Sequence, residues 1–185
     1  MKEILLVTGN QHKLQEWQRI MAGRVALSSI DIDLDELQSD DPEEILTDKV
    51  KRAYEHTQKP VVVEDVSAGL DALDGLPGPF IKFFIKRLGQ DALYTLANRQ
   101  DGAPATASCS AAYYDGSNLL TVRGEVHGTV VAPRGDSTFG FDVTFVPDGY
   151  EQTYAEMDPA LKNSLSHRAV AATKLLEALE AREIV

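Results

Sequence analysis

The sequence predicts an α/β fold, and three observations carry that expectation. Ile4-Leu5-Leu6-Val7 is a continuous apolar run ended by Thr8-Gly9-Asn10, after which apolar residues recur at helical spacing. Val61-Val62-Val63 repeats the buried-strand signature directly after a second helical segment. Farther on, Thr106 to Tyr114 and Leu119 to Val131 read as a β-hairpin around Asp115-Gly116. The 185 residues make one domain the default, with room for two small lobes.

After the first strand, Leu14, Trp17, Ile20 and Met21 mark a helix, with Asn10 placed to cap it. Lys13 falls in its first turn, where the helix dipole disfavours a cation and a bound anion would reverse that penalty. Ser29 to Leu34 alternates and reads as a short strand. Asp41-Pro42-Glu43-Glu44 opens a second helix, with an Asp cap, Pro at the first position and Glu three residues after the cap. That helix should run to about Thr57, bury Leu46, Val50 and Ala53, and carry Lys49 and Arg52 along its side. Lys59-Pro60 stops it. The Val61 strand is expected to end in Glu64-Asp65, at the carboxyl end where open α/β sheets place ligands.

Gly75-Leu76-Pro77-Gly78-Pro79 is a loop by composition. Phe80 to Leu88 reads as a helix apolar on most sides, which places it in the core or at a subunit interface. Gly89 ends it, and Gln90 to Arg99 is a further short helix. Beyond the hairpin, Pro133-Arg134-Gly135 breaks the pattern. The last helix has two possible starts, Pro159 and Ser166. The second is the better supported, with Ser166 as cap and Leu165 and Val170 placed as a hydrophobic staple. His167 and Arg168 then lie beside the free backbone N–H groups of the first turn, where a ligand's oxygen atoms would bind.

Composition narrows the function classes. The 18 Lys and Arg against 29 Asp and Glu leave a formal charge of -11, which disfavours a nucleic-acid surface but not a free nucleotide held by a local basic cluster. Cys109 is the single cysteine, so an intrachain disulfide and a Cys-based zinc site are both out. No apolar run approaches a membrane span and the first apolar run is too short for a signal segment, so the expected compartment is the cytoplasm. Phosphate-loop, dinucleotide-binding and nucleophile-elbow motifs are missing, as is any histidine pairing for a helical zinc site.

The chemistry concentrates in a few segments. Phe139-Gly140-Phe141-Asp142 sets two flat rings beside a carboxylate, and Lys162, His167 and Arg168 add donors for phosphates or carbonyl oxygens. Together they read as a nucleotide pocket; the alternative is a β-turn with two buried Phe and a solvated basic helix start. Glu36, Glu64 and Asp65 are the candidate carboxylates for a hard cation such as Mg²⁺, with Asp33, Asp35 and Asp40 competing for the place of Glu36.

These segments together resemble the inosine triphosphate pyrophosphatase family, the non-canonical purine NTP pyrophosphatases. Five blocks match in order: Thr8-Gly9-Asn10 with Lys13; Glu64-Asp65; Gly75 through Lys82; Ala132-Pro133-Arg134-Gly135; and Phe139 through Ser166-His167-Arg168, including Pro147-Asp148-Gly149-Tyr150-Glu151-Gln152-Thr153-Tyr154-Ala155-Glu156-Met157. The resemblance implies an elongated mixed β-sheet with helices in two lobes flanking a central nucleotide cleft, and a homodimer. It implies Mg²⁺-dependent cleavage of ITP, dITP or XTP to the monophosphate and pyrophosphate. It assigns Thr8, Gly9, Asn10, Gln11, His12 and Lys13 to the triphosphate, with Lys49 and Lys82 as further substrate lysines. Glu36 and Asp65 would hold Mg²⁺, and Asp65 would also activate water. Phe139 and Phe141, across Gly140, would sandwich the base, and Asp142, Lys162, His167 and Arg168 would read its edge. Two positions depart from the pattern: Val66 stands where a hydroxyl is usual, so its contact would come from the backbone unless Ser67 substitutes, and Phe141 stands where Trp or Tyr is common. A pyrophosphatase of the related Maf type and a nucleotide-binding regulator without turnover are the competing readings.

Overall fold

The computed structural model describes residues 2–35, 37–137 and 140–185; Glu36 and Phe139, both singled out above, lie outside the described residues. Among those described, the chain forms seven strands and six helices. The first part runs β1 (Glu3–Val7), α1 (Gln11–Ile20), β2 (Ala26–Ile30), α2 (Pro42–Thr57) and β3 (Val61–Leu70). Then come β4 (Pro77–Gly78), α3 (Ile81–Leu88), α4 (Ala92–Leu96), the hairpin strands β5 (Ala103–Tyr114) and β6 (Leu119–Val130), β7 (Phe145–Pro147), α5 (Pro159–Leu165) and α6 (His167–Ala181). The sheet is mixed, in the order β2-β1-β3-β5-β6-β7 with β4 on β3. β2 and β3 lie parallel to β1, while β4 and β7 run antiparallel to β3 and β6.

The chain divides into two compact units. The first comprises Met1–Asp65, Cys109–Gly124 and His167–Val185. Its strands are covered on both faces, which is why they read as unbroken apolar runs. On one face Ile4, Leu6 and Val62 pack against Trp17 of α1, Met21 just after it, and Leu175 and Leu179 of α6. On the other, Val7, Val61 and Val63 meet Leu46, Val50 and Ala53 of α2. Side chains alternate along a strand, so on β3 Glu64 continues the Val62 face and Asp65 continues the Val63 face. The second unit, Val66–Ser108 with Glu125–Ser166, has its own core, built on Leu70, Ile81, Leu93, Phe145 and Tyr154.

Several expectations are met as written. Asp41 caps α2, accepting from the Glu43 N–H at 2.9 Å, and Pro42 opens it. Asp115 closes the hairpin turn by accepting from the N–H groups of Ser117 and Asn118 and from the Tyr113 hydroxyl. Both proposed starts of the last helix are real: α5 begins at Pro159 under an Asp158 cap, and Ser166, in extended backbone, separates it from α6.

Others need correction. The second strand is 26–30 rather than 29–34, because it is held in register with β1 (Glu3↔Ala26 to Val7↔Ile30) and loses its partner where β1 ends. The later apolar residues Ile32 and Leu34 still pack, on the α2 side, without being in a strand. β3 does not end at Glu64-Asp65 but runs to Leu70, paired with β4 through Ala68↔Gly78 and Gly69↔Pro77. Glu64 can sit inside the strand because Lys13, Arg168 and Trp17 meet its buried charge. The Phe80–Leu88 helix is not deep in the core: in α3 only Ile81 is fully buried, and Phe83 and Leu88 are exposed. The short helix after it covers only Ala92–Leu96. β7 was missed because three residues are too short to show a period.

Candidate active site

In the first unit, the turn after β1 is tied down by its own side chains. Thr8 N–H donates to Ile30 O at 2.9 Å, and the Thr8 hydroxyl accepts from Asn10 N–H at 3.1 Å. Asn10 Oδ1 caps α1, accepting from the N–H groups of His12 and Lys13 at 2.9 and 3.3 Å. A Cβ on Gly9 would stand 2.6 Å from the Asp31 carboxylate, so a larger residue there would displace that side chain. Beside the turn opens a polar cavity of about 450 Å³ whose wall includes Thr8, Gly9, Lys13, Lys49 and Glu64. The same wall carries Asp31, Asp33 and Asp35, oxygen donors of the kind a hard divalent cation takes.

Glu64 is the electrostatic centre of this unit. Only 3% of it is exposed, yet its carboxylate is met from two helices. Lys13 reaches Oε1 at 2.8 Å, and Arg168 forks across both oxygens, Nε to Oε2 at 2.8 Å and Nη2 to Oε1 at 3.0 Å. The Trp17 indole N–H donates to Oε2 at 2.6 Å. Burial alone would push the Glu64 carboxyl up; the charges and hydrogen bonds of Arg168 and Lys13 outweigh it and hold the group well below the usual carboxylate range. Burial likewise works against the Arg168 cation, but Glu64 raises its pKa above the ordinary value, and Glu16 takes up Nη1. Cys109 touches the same cluster at 3.6 Å; burial and the neighbouring Glu64 charge push its thiol up, so it is a protonated core residue.

On the opposite face of β3, half-buried Asp65 faces Lys49 of α2. Burial pulls the Lys49 ammonium down, Asp65 opposes that, and Lys13 adds to the lowering. Lys49 stands with Lys13 on the wall of the cavity beside a helix N-terminus, and two cations so placed make a site that favours an anion. His167 and Arg168 open α6 as expected, but both are buried, and the Arg168 guanidinium is engaged with Glu64 and Glu16.

Val66, Lys82, Gly140, Phe141, Asp142 and Lys162 fall in the second unit. Asp142 and Lys162 form a buried ion pair at 2.6 Å, and the Ser137 hydroxyl donates to the same Asp142 oxygen at 3.4 Å. Gly140 adopts a left-handed backbone, φ 56°. Phe141 is 3% exposed and packs edge-on against Phe145, ring centroids 6.0 Å apart. In this structure its ring is therefore a core side chain, as in the bland reading of the Phe-Gly-Phe loop. Lys82 is exposed, its ammonium lying over the Phe83 ring.

Sequence reasoning missed Trp17, Glu16 and the true role of Glu64. The available signals were the four-residue spacing of Lys13 and Trp17, which puts both on one helix face, and a carboxylate inside a buried strand, which must find donors.

Comparison with known proteins places the chain in a family. The model of the Ham1 family matches residues 4–178. The inosine triphosphate pyrophosphatase of Schizosaccharomyces pombe is 40% identical over 185 residues, covering 99% of this chain and 98% of that protein. The Ham1 protein of Staphylococcus aureus superposes with a TM-score of 0.81 at 25% identity, covering 97% of this chain and 99% of its own. A nucleoside-triphosphatase / dITP/XTP pyrophosphatase from Mycobacterium abscessus gives 0.69 at 28% identity, covering 94% and 98%. With a family model spanning nearly the whole sequence and a relative this similar along its full length, the chain belongs to the Ham1 family.

Proposed function

We propose that this protein hydrolyses non-canonical purine nucleoside triphosphates, ITP, dITP and XTP, to the monophosphate and pyrophosphate. The observation that carries the reading is the convergence of Lys13 and Lys49 on the capped N-terminus of α1, beside Asp65 and a polar cavity. The names borne by the Schizosaccharomyces pombe and Mycobacterium abscessus relatives support the same chemistry.

In this reading the triphosphate binds across Thr8 to Lys13 with Lys49 as a second cation. Asp65 orients a water and takes its proton as the new bond to the α-phosphorus forms, and the bond to pyrophosphate breaks on the opposite side. Mg²⁺ would be held by Asp65 and Glu36, and the cavity wall offers the further carboxylates of Asp33 and Asp35. A bound Mg²⁺ would supply charge neutralisation on the phosphate oxygens. Glu64 takes no part as a metal ligand, because Lys13, Arg168 and Trp17 already occupy its oxygens. Phe141, Asp142, Lys162 and His167 would take the base, and the donors among them suit the 6-oxo group of hypoxanthine and xanthine. Adenine offers a 6-amino donor instead and would leave a buried donor unmet, at a cost of about 1–3 kcal/mol. Seating a base between rings requires Phe141 to leave its packed position against Phe145. The exposed apolar residues of α3, Phe83 and Leu88, suit a homodimer contact, and the cytoplasm is the proposed compartment.

Pyrophosphate release from ITP, XTP, ATP and dUTP, with and without Mg²⁺, tests the proposal. Turnover of ITP and XTP well above ATP, abolished by chelation, is expected. Equal efficiency on ATP and ITP would refute the account of base choice, and a preference for dUTP would favour the Maf-type alternative.

A further inference from the structure

The buried indole of Trp17 has a feature its packing does not need. Its ring is fully buried with Met21 and Leu175, where a phenylalanine would fill much of the same apolar space. Its N–H, however, is aimed at Glu64 Oε2 at 2.6 Å, an oxygen that Arg168 already uses. Lys13 and Trp17 lie one helical turn apart, so α1 delivers both donors to one carboxylate from a single rigid element. Lys13 uses the other oxygen, Oε1, and also lines the cavity beside the phosphate turn.

A carboxylate has about four acceptor positions to share among its donors. Removing the indole N–H leaves Oε2 with less compensation, and the carboxylate can recover it by turning toward the Lys13 ammonium, which is 23% exposed and so less confined than the buried Arg168 fork. Lys13 is then held more tightly by Glu64 and is less available to a phosphate. We propose that Trp17 is a positioning residue: its indole N–H fixes the Glu64 carboxylate and so keeps Lys13 poised for phosphate. This inference rests on the reading of Thr8 to Lys13 as the triphosphate site.

The test compares wild type, Trp17→Phe and Met21→Leu; the last changes the same core cluster without touching Glu64. Calorimetric titration with inorganic triphosphate should give roughly tenfold weaker binding for Trp17→Phe, the scale of a hydrogen bond to a charged group. KM for ITP should rise by a similar factor with kcat little changed. Met21→Leu should bind triphosphate as wild type does, even with a lowered Tm. Because Trp17 is the single tryptophan, wild-type emission should also shift on adding triphosphate, saturating at the calorimetric Kd. Wild-type affinity in Trp17→Phe, equal losses in both variants, or an unresponsive emission would each overturn the inference while leaving the proposed activity standing. Wild-type protein that ignored inorganic triphosphate would instead remove the phosphate site, and the inference with it.

Discussion

Replacing Glu64 by Gln should cost this protein a large part of its stability. The side chains of Glu64 and Arg168 are each 1% exposed, so the variant strands a guanidinium where water cannot reach it. Breaking a buried pair by removing one charge costs about 3–5 kcal/mol. Glu16 still reaches Arg168 and softens the loss, so the lower end, about 3 kcal/mol, applies. In a chain of this size each kcal/mol moves Tm by about 2–4 °C, giving an expected fall of about 6–12 °C by calorimetry. Acid adds a second readout. The folded Glu64 carboxyl is held well below its ordinary pKa, so as pH falls the unfolded chain takes up the proton first. Its stabilisation is therefore complete above the ordinary Glu pKa of about 4.3 and drains away as pH drops below it. Glutamine carries no such proton, so the Tm gap between wild type and variant should be widest at neutral pH and narrow in acid. A fall below about 2 °C, or a gap constant from neutral pH into acid, would refute the description of Glu64 as a charge-compensated hub.

Three further outcomes follow. Asp65→Asn should lower ITP turnover at least about 100-fold in a pyrophosphate-release assay, the scale of losing a general base; a loss under tenfold would unseat Asp65 as catalyst. Gly124→Ala should destabilise by about 1–3 kcal/mol in urea, because the added Cβ would lie 2.3 Å from backbone atoms of His167 and Ala171 on α6, which cannot rotate aside; an unchanged midpoint would contradict that packing. Asp115→Ala should cost about 1 kcal/mol once solvent screening is allowed for. Burial opposes the Asp115 charge, but the N–H donors of Asn118 and Ser117 win and bring its pKa to about 2. The difference should hold above about pH 4 and disappear as pH falls toward the folded value. A gap that persisted in acid would remove the carboxylate from the account.

Much of the first unit was legible because local rules and burial agree there. Asn10 and Asp41 are caps by residue type and act as caps. Val61-Val62-Val63 is apolar throughout because helices cover both faces of it. The second strand was misplaced because its extent is set by β1, a partner a local pattern does not see. The rings of the Phe-Gly-Phe loop posed a different difficulty. An aromatic side chain suits a base and a core equally well, and only the packing of Phe141 against Phe145 distinguishes the two in this structure.

The Glu64-Asp65 pair shows what a sequence leaves open even when the right residues are found. Read along the chain they are two adjacent carboxylates, equally eligible for metal or for catalysis. The pleat sends them to opposite faces of β3, and those faces differ in kind. Glu64 meets donors from α1 and α6 that satisfy both of its oxygens. Asp65 meets α2, where Lys49 is already weakened by burial and by Lys13. The first environment consumes a negative charge to hold helices in place. The second sets a carboxylate near a cation whose charge burial works against, an arrangement that gains from a bound phosphate and its counter-ion. The family resemblance is why Asp65 is the residue proposed to do chemistry; strand parity is why Glu64, its neighbour in sequence, sits in a different environment and is proposed to set the stage for it.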